Sequence, residues 1–216
     1  MVIETFTDPF PHLTVKNVFN EGALELIWSE IKFLSQLDKL SDASISSARD
    51  LNDNVLAKHD CLFLDEVYTN VKYSNILSIY DVMFKQKLCK SFEDIDRITQ
   101  PIRYCNFLTK FGRYNNGDYY KYHHDGAYNF TAITYFHKEP KQFEGGSLKF
   151  PADNYTFECN NNTMIMFPSY IYHQVDTLNF MGNDLSNTRH YIANFFYTPS
   201  FNTPAKGTSK TIRRVE

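Results

Sequence analysis

The sequence predicts an α+β fold that is mainly β, a sandwich or jelly roll of short strands with two N-terminal helices packed on it. Three observations carry this. From about residue 101 onward, short runs rich in Tyr, Phe, Ile and Thr alternate with turn signals. Aromatic residues make up 16% of the chain, a richness that favours pleated surfaces and an aromatic-lined cavity. Apolar residues at helical spacing fall in the first hundred residues. The expected organisation is a helical N-terminal extension over 1–100 containing a long loop at 41–60, a β core over 101–200, and a tail over 201–216. With 216 residues these parts can share one core as one structural domain.

In chain order, residues 13–19 (Leu-Thr-Val-Lys-Asn-Val-Phe) predict a short strand. Asn20 is placed to cap a helix, with Glu21 in its first turn, and Leu24, Ile27, Trp28, Ile31 and Leu34 share one face of it. Residues 41–60 are polar and rich in serine, alanine and aspartate, which predicts a long loop; this segment, or residues 178–187, is expected to border the open side of the barrel and to order on substrate binding. A second helix starts near Ser74 and buries Ile76, Tyr80, Met83 and Phe84. Eight strands are expected near 102–113, 119–124, 130–137, 146–150, 155–158, 163–167, 170–176 and 189–197. Asn116-Gly117 is a hairpin signal between aromatic flanks, and Gly145-Gly146 and residues 160–162 mark further turns.

Bulk properties narrow the function. The net charge is −3 and the basic residues form no stripe; the one basic cluster, 210–214, lies in the polar tail, so no nucleic-acid partner is expected. Cys61, Cys89, Cys105 and Cys159 show neither a CxxC nor a close pair and read as reduced thiols of a cytoplasmic protein. Glu4 and Asp8 precede any apolar run, which is unlike a signal peptide, and no stretch approaches the length of a membrane span. There is no HExxH, GxSxG or P-loop.

The chemistry concentrates in His123, Asp125 and His173. Residues i and i+2 of a strand point to the same side, so His123 and Asp125 can converge on one metal while His124 points away. His173, 48 residues after Asp125, supplies a facing ligand from a separate strand. Two imidazoles and one carboxylate make a facial triad that leaves three adjacent positions of an octahedral iron open. Those positions can take a chelating cosubstrate and dioxygen together, which points to oxidation chemistry. Arg189 opens the last apolar run, sixteen residues after His173, with Tyr191, Ala193, Phe195 and Tyr197 on its face by alternation. His12 and His59 read as surface or packing residues outside the barrel, and His137 and His190 as non-ligands.

Four ordered segments resemble the prolyl 4-hydroxylase-like 2-oxoglutarate/iron(II) oxygenases. Tyr114-Asn-Asn-Gly117-Asp-Tyr-Tyr-Lys-Tyr-His123-His-Asp125 is similar to that family's Tyr-x-x-Gly...His-x-Asp segment. Ile133-Thr-Tyr135-Phe with Phe143-Glu-Gly-Gly146-Ser-Leu148 resembles its strand-turn-strand. Phe167-Pro168...His173-Gln-Val resembles its distal histidine segment, and Arg189-His-Tyr its arginine strand. The resemblance covers about residues 101–198. It departs from close relatives in a longer link between His173 and Arg189, with Leu178 to Leu185 read as an inserted loop.

The resemblance implies a double-stranded β-helix (jelly roll) with N-terminal helices, Fe(II) held by His123, Asp125 and His173, and 2-oxoglutarate and O2 as cosubstrates, with ascorbate as an accessory reductant. Arg189 then takes the C5 carboxylate of 2-oxoglutarate through its planar fork, with Tyr135 and Tyr114 as hydrogen-bonding companions. The expected reaction hydroxylates an aliphatic C–H bond, by family default on a prolyl residue of a peptide or protein, the alternative being a free amino acid or other small molecule. Tyr119, Tyr120, Tyr122 and Tyr128 are candidates to stack on a proline ring. The second arginine of the nucleobase-demethylating branch is missing from the final strand, and Asp125 occupies the position that halogenating relatives fill with a small residue. Two rival readings of the same residues are a non-redox metal-binding jelly-roll protein, such as a zinc hydrolase, and a non-catalytic binding module. The Arg189–Tyr135 pair speaks against the first and the intact triad against the second.

Overall fold

A computed structural model describes residues 1–43, 49–95, 105–181 and 188–198. The chain begins with β1 (Val2–Phe6) and β2 (His12–Lys16), then α1 (Glu21–Leu34), three short strands β3 (Ser41–Asp42), β4 (Ala57–Lys58) and β5 (Asp60–Phe63), and α2 (Asn75–Met83). A π-helical turn over Phe84–Leu88 carries α2 into α3 (Cys89–Glu93). The rest is β: β6 (Asn106–Tyr114), β7 (Tyr119–His123), β8 (Phe130–Phe136), β9 (Phe143–Glu144), β10 (Leu148–Phe150), β11 (Tyr155–Phe157), β12 (Thr163–Pro168), β13 (His173–Val175), β14 (Asn179–Phe180) and β15 (Arg189–Tyr197). An eight-stranded sheet runs β1-β2-β12-β8-β15-β6-β5-β3, and a five-stranded sheet runs β11-β10-β13-β7-β4; β9 and β14 pair separately. All ladders are antiparallel. Among the described residues no helix is long and apolar enough to cross a membrane.

The sequence patterns explain both layers of this jelly roll. β15 lies at the centre of the large sheet with both faces covered, and its alternation sorts two cores. Ile192 and Phe196 turn outward to the helices, where Ile27, Ile31, Tyr80 and Phe84 meet them. Ala193 and Phe195 turn inward, with Phe167 beside them, against Leu148, Phe150 and Val175 of the small sheet. The helices start where the capping residues are. Asn20 Oδ1 accepts from Ala23 N at 3.0 Å and Ser74 Oγ from Leu77 N at 2.9 Å. Glu30, buried on α1, ties the two helices together: it accepts from Ser74 Oγ at 2.6 Å and Ile76 N at 2.9 Å.

All eight expected strands form; the first starts at Asn106, with Cys105 outside it, and residues 102–104 lie outside the described ones. The N-terminal hundred residues differ from a purely helical extension. β1, β2, β3 and β5 lengthen the large sheet and β4 the small one. The predicted strand over 13–19 ends at Lys16, since Asn17 takes a left-handed φ of 52°. Residues 41–60 are not one loop: Ser41 pairs with Cys61, Arg49 bridges Val55, and Ala57 pairs with Tyr120. Asp50 closes the tip by accepting from the backbone N of Asn52 and Asn54. These strands are too short to show a period, and their hydrogen-bond partners lie far off in sequence. Residues 44–48 of that segment lie outside the described ones.

The inserted segment after His173 begins inside the fold. Leu178 is buried, donates to Asp118 O and accepts from Gly117 N, and Asn179–Phe180 pairs with β9. Gly145 permits this approach, with φ of 72° and a Cβ position only 2.1 Å from Thr177 O. Residues 182–187 lie outside the described ones.

Glu30→Ala would leave two buried donors without their acceptor. The expected cost is about 1–3 kcal/mol of folding stability, read as a lower midpoint in urea, with metal affinity unchanged.

Candidate active site

Strand pairing sets the geometry of the site. His123 on β7 and His173 on β13 are directly paired partners, and their ring centroids stand 4.3 Å apart. Asp125 follows β7 by two residues. Its Oδ1 lies 3.8 Å from His123 Nε2 and its Oδ2 3.6 Å from His173 Nε2. One ligand atom from each of the three residues falls within 4.8 Å of the others, a group able to hold a metal ion.

The surroundings hold these atoms in ligand geometry. His123 Nδ1 lies 2.7 Å from Lys121 O and His173 Nδ1 2.9 Å from Ile171 O, the same two-residue step back in both strands. A carbonyl only accepts, so each Nδ1 carries the hydrogen and each Nε2 offers its lone pair. Burial, the neighbouring His173 and other nearby positive charge together lower the pKa of His123 to about 3, against a smaller opposing pull from Asp125. The imidazole is therefore neutral and ligand-ready across the physiological range. Asp125 is off the strand, and its position comes from other contacts. Its backbone N donates to Ser169 O at 2.8 Å, and Oδ2 accepts from Thr131 Oγ1 at 2.8 Å, which pairs in turn with Ser169 Oγ. His124 is exposed, accepts from Gly126 N, packs edge-on against Tyr172 and lines the same cavity, but it is outside the group of three ligand residues.

A cavity of about 330 Å³ opens beside the triad, and Arg189, Tyr114 and Tyr135 line it together with the three ligand residues. Arg189 is 1% exposed. Its guanidinium carbon lies 4.0 Å from the Tyr114 ring centroid and 5.0 Å from that of Tyr135. Nη1 donates to Gly146 O, the turn glycine between β9 and β10. No carboxylate pairs with this cation among the described residues, and Arg189 Nε and Tyr135 OH are buried with no hydrogen-bond partner among them. Burial raises both tyrosine pKa values above their ordinary range, so each stays a neutral O–H donor. A buried cation with orphaned donors around it suits an anion reaching down from the triad, as the far carboxylate of 2-oxoglutarate would.

His59 is a correction. It lies inside the barrel wall, 2% exposed, stacked on Tyr114 at 4.6 Å and 6°, with Nε2 2.9 Å from Tyr191 OH. Burial, with the charges of Lys110 and Arg189, keeps it neutral. The ring of Tyr191 lies over Gly112, where a Cβ would meet it at 2.3 Å. His12, His137 and His190 are buried packing residues. Of the four tyrosines expected near the metal, Tyr120 and Tyr128 line the cavity, whereas Tyr122 is exposed and stacks on Tyr172. Sequence reasoning missed Thr131 and Ser169, which carry no signal without the fold. It also missed Lys110, which strand alternation from Tyr114 could have found.

Known proteins are similar to this chain in sequence and fold. The model of the 2OG-Fe(II) oxygenase superfamily matches residues 109–197. An uncharacterized PKHD-type hydroxylase of Synechocystis sp. is 24% identical over 176 residues, covering 77% of this chain. The chain spans about half, 55%, of that relative's length. Among solved structures, a Pseudomonas putida prolyl-4-hydroxylase superposes with a TM-score of 0.60 at 14% identity, covering 88% of this chain and 93% of that one. A viral collagen prolyl hydroxylase from Paramecium Bursaria Chlorella virus-1 gives 0.56 at 13% identity, covering 88% and 96%. Residues 109–197 thus resemble the 2OG-Fe(II) oxygenase superfamily, and the fold is one shared with prolyl 4-hydroxylases. That family's chemistry uses Fe(II), 2-oxoglutarate and O2.

His123→Ala and His173→Ala are each expected to abolish Fe(II) binding, measured by calorimetry, and turnover with it; retained turnover would mean the ligands are other residues. Thr131→Val, which frees Asp125 Oδ2 to turn, is expected to weaken metal binding by about tenfold to a hundredfold. For the cosubstrate, 2-oxoglutarate added to the Zn(II)-loaded protein should raise the melting temperature, since it binds the native state alone. Arg189→Ala should remove most of that rise, and an undiminished rise would place the carboxylate partner elsewhere.

Proposed function

We propose that the protein is a 2-oxoglutarate- and Fe(II)-dependent oxygenase that hydroxylates an aliphatic C–H bond of a prolyl residue in a peptide or protein, with Fe(II) on His123, Asp125 and His173. The observation that carries the reading is one cavity lined both by three residues able to hold a metal and by a buried arginine that pairs with no acid among the described residues. Arg189 takes the C5 carboxylate of 2-oxoglutarate, and Tyr135 OH adds a hydrogen bond, with Tyr114 packed against the guanidinium. The bound iron and cosubstrate supply the oxidising power: 2-oxoglutarate and O2 yield succinate, CO2 and one oxygen atom for the substrate. The chain's own part is placement. Arg189 sets the depth of the cosubstrate, the Nδ1 bonds hold both imidazoles in plane, and the aromatic walls exclude water from the reacting carbon.

The prolyl preference is supported by the likeness to two prolyl hydroxylases and by the rings of Tyr120, Tyr128 and Phe195 in the cavity, apolar faces suited to a pyrrolidine ring. Ascorbate serves as the reductant that restores Fe(II) after uncoupled cycles. Four buried cysteines outside any disulfide support a reducing cytoplasm as the place of work.

With Fe(II), 2-oxoglutarate and ascorbate, mass spectrometry is expected to show a gain of one oxygen on proline-containing peptides, coupled to succinate formation. Free proline and the other amino acids serve as the contrast. Turnover of a free amino acid with no peptide turnover would sink the peptidyl reading and keep the oxygenase.

A further inference from the structure

We propose that Lys110 reads a carboxylate on the substrate, so that the enzyme acts on an acid whose oxidised carbon lies near a negative group. This rests on the hydroxylase reading above and names the substrate's chemistry more closely.

Lys110 sits on β6 and is 5% exposed. It belongs to the inward file of that strand with Gly112 and Tyr114, and it lines the same cavity as the triad. Its Nζ lies 5.3 Å from the Phe63 ring centroid and 5.6 Å from that of Phe195. No ion pair joins it to a carboxylate among the described residues. Its charge is close enough to help hold His59 and His123 neutral.

The two cavity cations stand at opposite ends of it. Arg189 is paired with Tyr114 across the β15–β6 ladder, and Ala193 with Lys110. Four residues of strand separate the pairs, roughly 13 Å. The Lys110 end is also the Asp125 end. Phe195 is paired with Thr131, the residue that holds Asp125, and stacks on Tyr128 at 4.8 Å. On the hydroxylase reading both carboxylates of 2-oxoglutarate would be taken up, one by Arg189 and the other at the metal end of the cavity. Lys110 is left to a second anion on the substrate side of the metal.

An ammonium walled by two phenylalanines is a costly residue to keep in an apolar wall unless a ligand answers it, and an aliphatic side chain would pack there at no such cost. The matching group is a carboxylate within reach of the reacting carbon. It is either the α-carboxylate of a free amino acid or an acidic side chain beside the hydroxylated residue of a peptide.

The test uses the full chain loaded with Zn(II) and saturating 2-oxoglutarate, with melting temperature as the readout. One arm adds each of the free L-amino acids and its amide, L-proline and L-prolinamide among them. The other adds blocked tetrapeptides Ala-Pro-Asp-Ala and Ala-Pro-Asn-Ala. An acid is expected to bind about tenfold to a hundredfold more tightly than its amide. The arm that shows the difference tells a free acid from an acidic peptide. Lys110→Met, which keeps the aliphatic packing, should erase the difference, and Lys110→Arg should restore part of it, with the 2-oxoglutarate shift retained in both. The proposal is overturned if no acid outperforms its amide, if Lys110→Met keeps the preference, or if that variant loses the 2-oxoglutarate shift instead. Acid preference without any proline preference would retire the prolyl substrate and leave Lys110 in its role. Peptidyl-proline turnover indifferent to the acid would do the reverse.

Discussion

A guanidinium sealed between two tyrosine rings, with no acid beside it among the described residues, is the constraint around which this barrel is arranged. The Tyr114 and Tyr135 faces, the Gly146 carbonyl and the Cys159 thiol receive Arg189 there, and none of these is a carboxylate that would cancel its charge. The strand that carries it must therefore be rigid and central. β15 meets that need: β6 and β8 flank it on either side, eight of its nine residues are buried, and the helices close its outer face. The electrostatic demand for an anion at the bottom of the cavity is built into the stable core.

The metal end obeys a different logic. The two histidines are adjacent because β7 and β13 pair at that point, and each imidazole is turned by a carbonyl two residues behind it. The carboxylate has no strand to hold it and is held instead by Thr131 and Ser169, which belong to the large sheet side of the fold and the turn after β12. The triad is thus carried by the small sheet and the turn that follows β7, and Thr131 ties its carboxylate to the large sheet. Cavity walls of aromatic side chains keep the dielectric low, so few charges have large effects. That is why His59 and His123 are held neutral and why Lys110 is conspicuous.

The sequence could be read furthest where local rules decide the outcome. Alternation on β15 correctly sorted Arg189 and Ala193 from Ile192 and Phe196, and Asn20 and Ser74 announced their helices because capping is a matter of three residues. Strand alternation also separated His123 from His124, although Asp125 reaches the site from beyond the strand's end. What escaped was set by pairing across distance. β5, with four residues and a polar approach, has no period to detect and exists because β6 offers it an edge. His59 looked peripheral because its neighbours in sequence are polar, yet β4 and β5 carry it between Tyr114 and Tyr120.

The residue types and order of the triad and its arginine, the helix starts and the eight core strands were determined by the sequence alone, because spacing, alternation and capping act within a few residues. The distances within the triad, the Nδ1 hydrogen bond of each imidazole, the Thr131–Ser169 support and the opposition of Arg189 and Lys110 across one cavity were decided by the tertiary structure. Each depends on which strands lie side by side, and that choice is made by the burial of two apolar faces at once, a property of the whole chain.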